Sequence, residues 1–570
     1  MTKIELPHEK KVGHLTLLRG ARAITAKEFN ALSFNERLAM VRTAPWRRKY
    51  QLILEAKDAA HLVRRLPAQE IYLLIKEMGM EDAADLLPLV STNQLTTFLD
   101  LDCWQNDLLD GPAALRWLSL LHLEGGEEHV LRTALELDFE LLVLIIKKFV
   151  TVTYGLETLT DEDALEGKAH ENGMYGLKYP DSETAKIVGG FLDILFRHEC
   201  GFYLHLMEAV RWEQESLLEE NVYLSRSGRL QDQGFPDPFE ALGVYAYFDP
   251  DTFDPDRHHK TCMKFGEEGV EAPGFILTAA LPKDLLAEVL AGGISSEICW
   301  ELSFLLNKII IAERVDVGDV QQVQTTLEEV YCYLNIALEH LCGTDTEKAS
   351  RLFEGVYLEP LFRLGYNLTL RLQRQAKKLR NSKIGPYLDG PFRALVEALS
   401  LGKPRFSKGI EKKGRFGERP FATLRDVQMV TEWLEQLEIQ RRLFEEHFSF
   451  DLPAPEDLDL EGCFPAEAEE ITLSDFFLTA LANRIMKRNF LPVPIPGEEL
   501  APLHAKISVQ GKVAENLRRE TAAWLESLEA GAGAFGEHCL NVWEEEFCPL
   551  MPENLDHRYV GGMIIRVNRG

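Results

Sequence analysis

Near its N-terminus the sequence repeats itself. Asp58-Ala59-Ala60-His61-Leu62-Val63 returns 24 residues later as Asp82-Ala83-Ala84-Asp85-Leu86-Leu87. Apolar positions continue in register: Leu66 with Val90, Ile71 with Leu95, Leu74 with Phe98 and Ile75 with Leu99. Such a period leaves room for two short helices and two turns, with Pro67 placed where a helix start tolerates its missing N–H. A unit this small cannot bury its apolar face alone, so neighbouring units must stack into a small superhelix. Helical period runs on through most of the chain. Val427, Val430, Leu434 and Leu437 recur at three and four, opposite Glu432, Glu435, Gln436 and Gln440, and Thr423-x-x-Asp426 supplies a capping-box start. A second long pattern, Glu347 to Leu379, contains Pro360, which should kink or divide it. Strand signals are few: Met174 to Tyr179 follows Asn172-Gly173 as half of a hairpin, and Tyr559 to Val567 reads as a terminal strand. The expected fold class is all-α, with a short helical superhelix and minor β-hairpins.

The segment from about Leu52 to Leu109, with Leu62-Val63-Arg64-Arg65-Leu66-Pro67 and Glu81-Asp82-Ala83-Ala84-Asp85-Leu86-Leu87, resembles the cytosolic N-terminal domain of MgtE-type magnesium transporters. The resemblance implies a right-handed helical superhelix for that stretch, related to folds in a flagellar motor switch protein, and no chemistry. The membrane helices of such a transporter have no counterpart in this sequence, so magnesium transport is not implied. The whole chain resembles a family of large bacterial proteins known only as a domain of unknown function.

Charge and cysteine usage narrow the function classes. Sixty-two Lys and Arg against 91 Asp and Glu give a net charge of -29, which argues against nucleic acid or an anionic membrane as partner of the whole chain. The nine cysteines contain no CxxC pair and are odd in number, a usage that suits reduced thiols and a cytoplasmic location. Met1 to Leu15 has charges and no apolar core of a signal peptide. The most apolar run, Leu141 to Ile146, is far shorter than the roughly 20 residues a spanning helix needs, so no membrane span is expected.

The chain divides, on this reading, into an N-terminal extension (1–30), the helical repeat region (31–125) and a central helical region with irregular loops (126–345). A long-helix region (346–450), an acidic linker (451–470) and a C-terminal helical region with a short strand (471–570) follow. The linker reading rests on eight acidic residues, no basic ones and three prolines between Asp451 and Glu470.

Motifs that would carry chemistry fail in their context. Gly531-x-Gly533-x-x-Gly536 follows a helical pattern, whereas a dinucleotide turn needs a strand before it. Asp457-x-Asp459-x-Glu461-Gly462 begins like a calcium loop, but its closing position is Ala468. His198, Cys200 and His205, and separately Asp254, Asp256, His258, His259 and Cys262, lack the spacing of a zinc site. GxSxG and Walker A loops are absent. No cofactor and no metal are expected.

Two groups stand as candidate sites. Glu297 to Glu313 is mostly apolar, with Glu301, Ser303, Asn307 and Lys308 as exceptions, and Glu301 and Lys308 share a helix face. They would either line a cleft as a polar stripe or form the wet edge of a core helix, and we read the wet edge. Residues 371–419 hold 14 basic and 4 acidic side chains. There Lys403, Arg405, Lys408, Lys412, Lys413 and Arg415 interleave with Phe406 and Phe416, as anion-binding segments do. We read this loop as a clamp on the acidic body of its own chain, with anion or nucleic-acid binding as the alternative. The expected function is that of a non-enzymatic interaction or scaffold protein with a protein partner or self-association. An enzyme whose site is assembled across domains is the alternative.

Overall fold

A computed structural model of the chain describes residues 25–154, 169–172, 175–261, 269–274, 284–411, 416–551 and 555–567. The chain forms two compact units, Met1–Leu364 and Gly365–Gly570, and the boundary falls inside the helix Leu358–Arg380. The fold is mainly helical, and its strands form small, separate sheets of two or three. Among the described residues no helix is long and apolar enough to cross a membrane.

The first unit opens with six helices: α1 (Ala26–Ala31), α2 (Phe34–Thr43), α3 (Trp46–Glu55), α4 (Ala59–Arg65), α5 (Ala68–Met78) and α6 (Thr92–Asp102). Local chemistry starts them. Thr25 with Glu28, Ser33 with Glu36 and Ser91 with Gln94 close capping boxes on α1, α2 and α6, each cap contributing about 1 kcal/mol. Pro45 and Pro67 stand at the N-caps of α3 and α5. Ala68 and Thr92, the first residues of α5 and α6, are 24 positions apart, and each of these helices is 11 residues long. The segment ahead of α6, Ala84–Leu89, is a 3-10 helix, whereas its counterpart α4 is α-helical. Pro88 accounts for the difference: it donates no hydrogen bond, and its ring would clash with the carbonyl four residues back in an α-helix. Leu62, Val63, Ile71, Leu74, Leu86, Leu95 and Phe98 form the core beneath these elements.

Further along the first unit, Leu141 to Ile146 is buried throughout within the helix Phe139–Phe149. The anticipated hairpin half is the middle strand, Tyr175–Lys178, of a three-stranded sheet, antiparallel to both Thr151–Tyr154 and Ala169–Asn172. Pro360 does not divide its helical pattern. The break falls between Thr346–Gly355 and Leu358–Arg380, and Pro360 sits in the first turn of the second helix, where a missing N–H costs nothing.

In the second unit Thr423 and Asp426 form the expected capping box on Leu424–Arg442, and Thr472 and Asp475 form another on Leu473–Ile485. Rings from several helices and loops make one core: Phe448 and Phe490 are 5.1 Å apart, Phe490 and Trp524 5.0 Å, and Phe477 and Phe535 5.3 Å. The acidic stretch 451–470 takes part in this unit. Its strand Cys463–Phe464 pairs antiparallel with Ile565–Arg566, which also pairs parallel with Ile495–Pro496. The terminal strand anticipated near Tyr559 is thus Ile565–Arg566.

Candidate docking surface

Helices α2 to α4 carry a concentration of positive charge that is easy to pass over beside the longer basic segment. Residues 37–65 hold eight basic and two acidic side chains. Part of that charge is structural. Arg37, nearly inaccessible, pairs with Asp58 at 2.6 Å. Lys49 forms an ion pair with Glu70 in which both side chains are fully buried, and its ammonium lies 5.1 Å from the Trp46 ring. Two arginines do something else. Arg42 and Arg65 converge on one carboxylate, Glu271, at 3.4 and 3.0 Å.

Glu271 belongs to a short irregular segment, residues 269–274, seated on these helices. Its backbone N–H donates to the Arg65 carbonyl at 2.8 Å, and the Gly274 N–H donates to the second oxygen of Glu70 at 3.1 Å. Ala272, Pro273 and Gly274 are buried. Glycine is required at 274 by contact: a Cβ there would stand 2.5 Å from the Arg42 carbonyl oxygen. The Nε atoms of Arg42 and Arg65 are buried without a hydrogen-bond partner, so the pair offers more donors than Glu271 uses. Cys299 lies close enough to feel the charges of Arg42 and Glu70, and burial pushes its thiol up to about 11.

A second polar cluster closes the far end of α6. Asp102 accepts from the Tyr72 hydroxyl at 2.9 Å and the Trp117 indole at 2.8 Å, and pairs with Lys76 at 2.5 Å. Asp100 accepts two bonds from Arg229, at 2.7 and 2.9 Å, and this pairing raises the guanidinium pKa further. Burial, then the Asp102 charge, push the Tyr72 phenol far above its usual range. A carboxylate saturated by three donors is an anchor rather than a base. The neighbouring cavity, lined by Leu95, Leu99, Trp117, Leu121, Ile145 and Phe191, is wholly apolar.

The polar stripe on Ser296–Glu313 is neither a cleft lining nor a wet edge. Glu301, Ser303 and Asn307 are all buried. Glu301 pairs with Lys260 at 2.7 Å and accepts from the Leu358 N–H at 2.7 Å, while burial pushes its carboxyl up. Asn307 exchanges amide bonds of 2.7 and 3.1 Å with Gln69 of α5 and donates to the Gln233 carbonyl at 2.9 Å. Lys308 pairs with Glu359 at 3.0 Å. Alternation along one helix shows which residues are polar, but their partners lie on distant parts of the chain, so burial was not legible.

In the basic segment, Phe406–Ser407 and Glu418–Arg419 pair as a two-stranded sheet. Arg419 makes a two-pronged contact with Asp426 at 2.7 and 2.8 Å, and lies 4.0 Å from the centre of the Phe406 ring. Lys403, Arg405 and Lys408 are partly buried, and the Arg405 N–H donates to the Ala398 carbonyl. Lys412, Lys413 and Arg415 lie outside the described residues, as do Met1 to Leu15 and Cys262. Phe416 is almost fully exposed.

The remaining motifs separate. His198 pairs with Glu127 at 3.0 Å, while His205 stacks on Phe139. His258 stacks on Phe253, and His259 bridges to Val356. Among the described residues no three His, Cys, Asp or Glu side chains gather as a metal site. In the glycine motif, the Glu526 carboxylate accepts from the Gly531 and Gly533 N–H groups at 2.9 and 3.2 Å, so amides that would face a phosphate already hold an anion.

Arg42, Arg65 and Glu271 were not among the candidate site residues read from the sequence. The count of eight basic against two acidic residues in 37–65 is the signal that would have found the first two. No curated protein and no solved structure matches this chain. A family model does match it, over residues 26–566. The chain belongs to that family, the Family of unknown function DUF6178.

Proposed function

We propose that this is a cytoplasmic helical interaction or scaffold protein and that α1 to α6 form its docking layer for a protein partner or a second copy. The observation that carries the reading is an open stripe on α3. Arg47, Gln51 and Leu54, at i, i+4 and i+7, are all exposed, and Leu54 is 41% exposed. An open stripe that offers a cation, an amide and an apolar side chain is a surface that a partner with a complementary acidic and apolar patch packs against. The equal lengths and 24-residue offset of α5 and α6 support a stacked arrangement. Glu301, Asn307 and Lys308, the polar groups of the core helix, are paired with Lys260, Gln69 and Glu359 inside the unit.

The test is affinity capture with the full chain and with Arg47→Glu/Leu54→Glu, beside sedimentation of both. Both side chains are exposed, so the melting temperature should stay within about two degrees. Loss of a captured partner, or of self-association, supports the docking layer. An identical partner set and an identical sedimentation profile overturn it.

A further inference from the structure

We propose that Arg42 and Arg65 form a receptor for an acidic chain segment, and that residues 269–274 are a built-in occupant which an acidic partner segment displaces. The inference rests on the docking reading of α1 to α6 and adds the chemistry of the partner. Four observations converge. The clamp is made of two arginines from different helices, and they meet on one carboxylate. Their remaining buried Nε donors are unused, so a carboxylate seated more squarely would gain bonds that Glu271 does not make. The site reaches solvent, since Arg42, Arg65 and Glu271 side chains retain 23%, 36% and 30% exposure. The occupant matches the receptor in charge: Glu271, the acidic residue of 269–274, is held by two arginines of a stretch, 37–65, with eight basic and two acidic residues.

The grip also has a recognisable grammar. One backbone N–H, that of Glu271, is read by the Arg65 carbonyl, and one, that of Gly274, by the Glu70 carboxylate. Between them Ala272 and Pro273 are buried, and Gly274 must lack a side chain. The surface therefore selects an acidic residue followed by small residues, with glycine three positions on. A tethered occupant competes at an effective concentration on the order of millimolar. A free peptide binding with a dissociation constant of about 0.1 mM would then be suppressed about tenfold in the native chain.

The experiment uses a fluorescent peptide of residues 267–276, Glu-Glu-Gly-Val-Glu-Ala-Pro-Gly-Phe-Ile, titrated by anisotropy into the full chain. Two variants evict the built-in segment by different means: Gly274→Val through the clash with the Arg42 carbonyl, and Glu271→Arg through charge. Each should bind the peptide about tenfold more tightly than the parent chain. Binding should weaken with salt, be lost when Glu271 of the peptide is replaced by Gln, and be lost when Arg65→Glu is added to either variant. Equal or absent binding across parent and evicted chains overturns the proposal. So does loss of the helical circular-dichroism signal in both evicted variants, because the segment would then be core. Neither result touches the α3 stripe, whose own variant tests the docking layer separately.

Discussion

Residues 37–65 and 371–419 are both basic stretches in a chain of net charge -29, and the fold uses their charge in different ways. In the longer stretch the cations diverge to separate partners. Arg419 goes to Asp426, Lys383 to Asp451 at 2.9 Å, and Arg393 to the Pro386 and Glu469 carbonyls. In the shorter stretch Arg42 and Arg65 converge on one carboxylate contributed from more than 200 positions away. Divergent pairs hold a fold together, whereas convergent ones make a place for an anion. The density of charge along the sequence is therefore a poor guide to where an anion sits, because helix packing decides which cations meet.

The largest effect expected from breaking this comparison lies under the clamp. Lys49→Met strands the Glu70 carboxylate in a site closed to water and should cost about 3–5 kcal/mol, read by chemical denaturation. Adding Glu70→Gln should recover most of the loss, because it removes the stranded charge and keeps an acceptor for the Gly274 N–H. A single variant as stable as the parent would mean that the receptor face does not depend on this pair.

The next effect belongs to the second unit and is a matter of pH. Burial pushes the Asp475 carboxyl up to about 6, with Asp389 of the basic stretch and Glu546 adding to the rise against the Thr472 hydrogen bonds. An unfolded Asp titrates near about 3.9. Between about pH 4 and 6 the native state thus holds a proton that the unfolded state has lost, and stability falls as pH rises across that window, by up to about 3 kcal/mol. Asp475→Asn keeps an acceptor for the Thr472 cap and removes the titration. Its melting temperature should gain on the parent's from about pH 4 to 6 and hold that gain above it, and parallel curves across that window would contradict the assignment.

The smallest effect separates the two basic stretches directly. Arg419→Ala removes a two-pronged contact and a ring contact and should cost about 1–2 kcal/mol. Arg65→Ala, at a half-open site, should cost under about 1 kcal/mol while abolishing peptide binding to the evicted chain. Thermal melts of the two variants side by side check this. A reversed order would make Arg65 the structural residue and Arg419 the free one.

What could be read from the sequence follows the range of the interactions involved. Capping at Thr423–Asp426 and the helical class depend on neighbours within a few residues, and the strands near Tyr175 and Ile565 showed in their local composition although their pairing partners lie farther along the chain. The polar exceptions at Glu301, Asn307 and Lys308 were visible as exceptions, but their satisfaction by Lys260, Gln69 and Glu359 was not. Pro360 shows the limit at short range, since a proline is a breaker only when four helical residues precede it. The clamp was the least legible feature. Glu271 and Gly274 sit in an unpatterned loop, and nothing nearby in sequence points to Arg42 or Arg65. Only the fold brings them together.

Hydrogen exchange on the unmodified full chain tests most directly whether residues 269–274 are a displaceable occupant. The Glu271 and Gly274 amides are held by Arg65 and Glu70, whereas those of Ile71 to Ile75 lie in the buried turns of α5. The account predicts that the first pair exchanges through local opening at least about a hundredfold faster than the second group, and faster still when the 267–276 peptide is added. Exchange of both groups at one common rate, unchanged by the peptide, would mean that the segment opens only when the unit unfolds, and would contradict it.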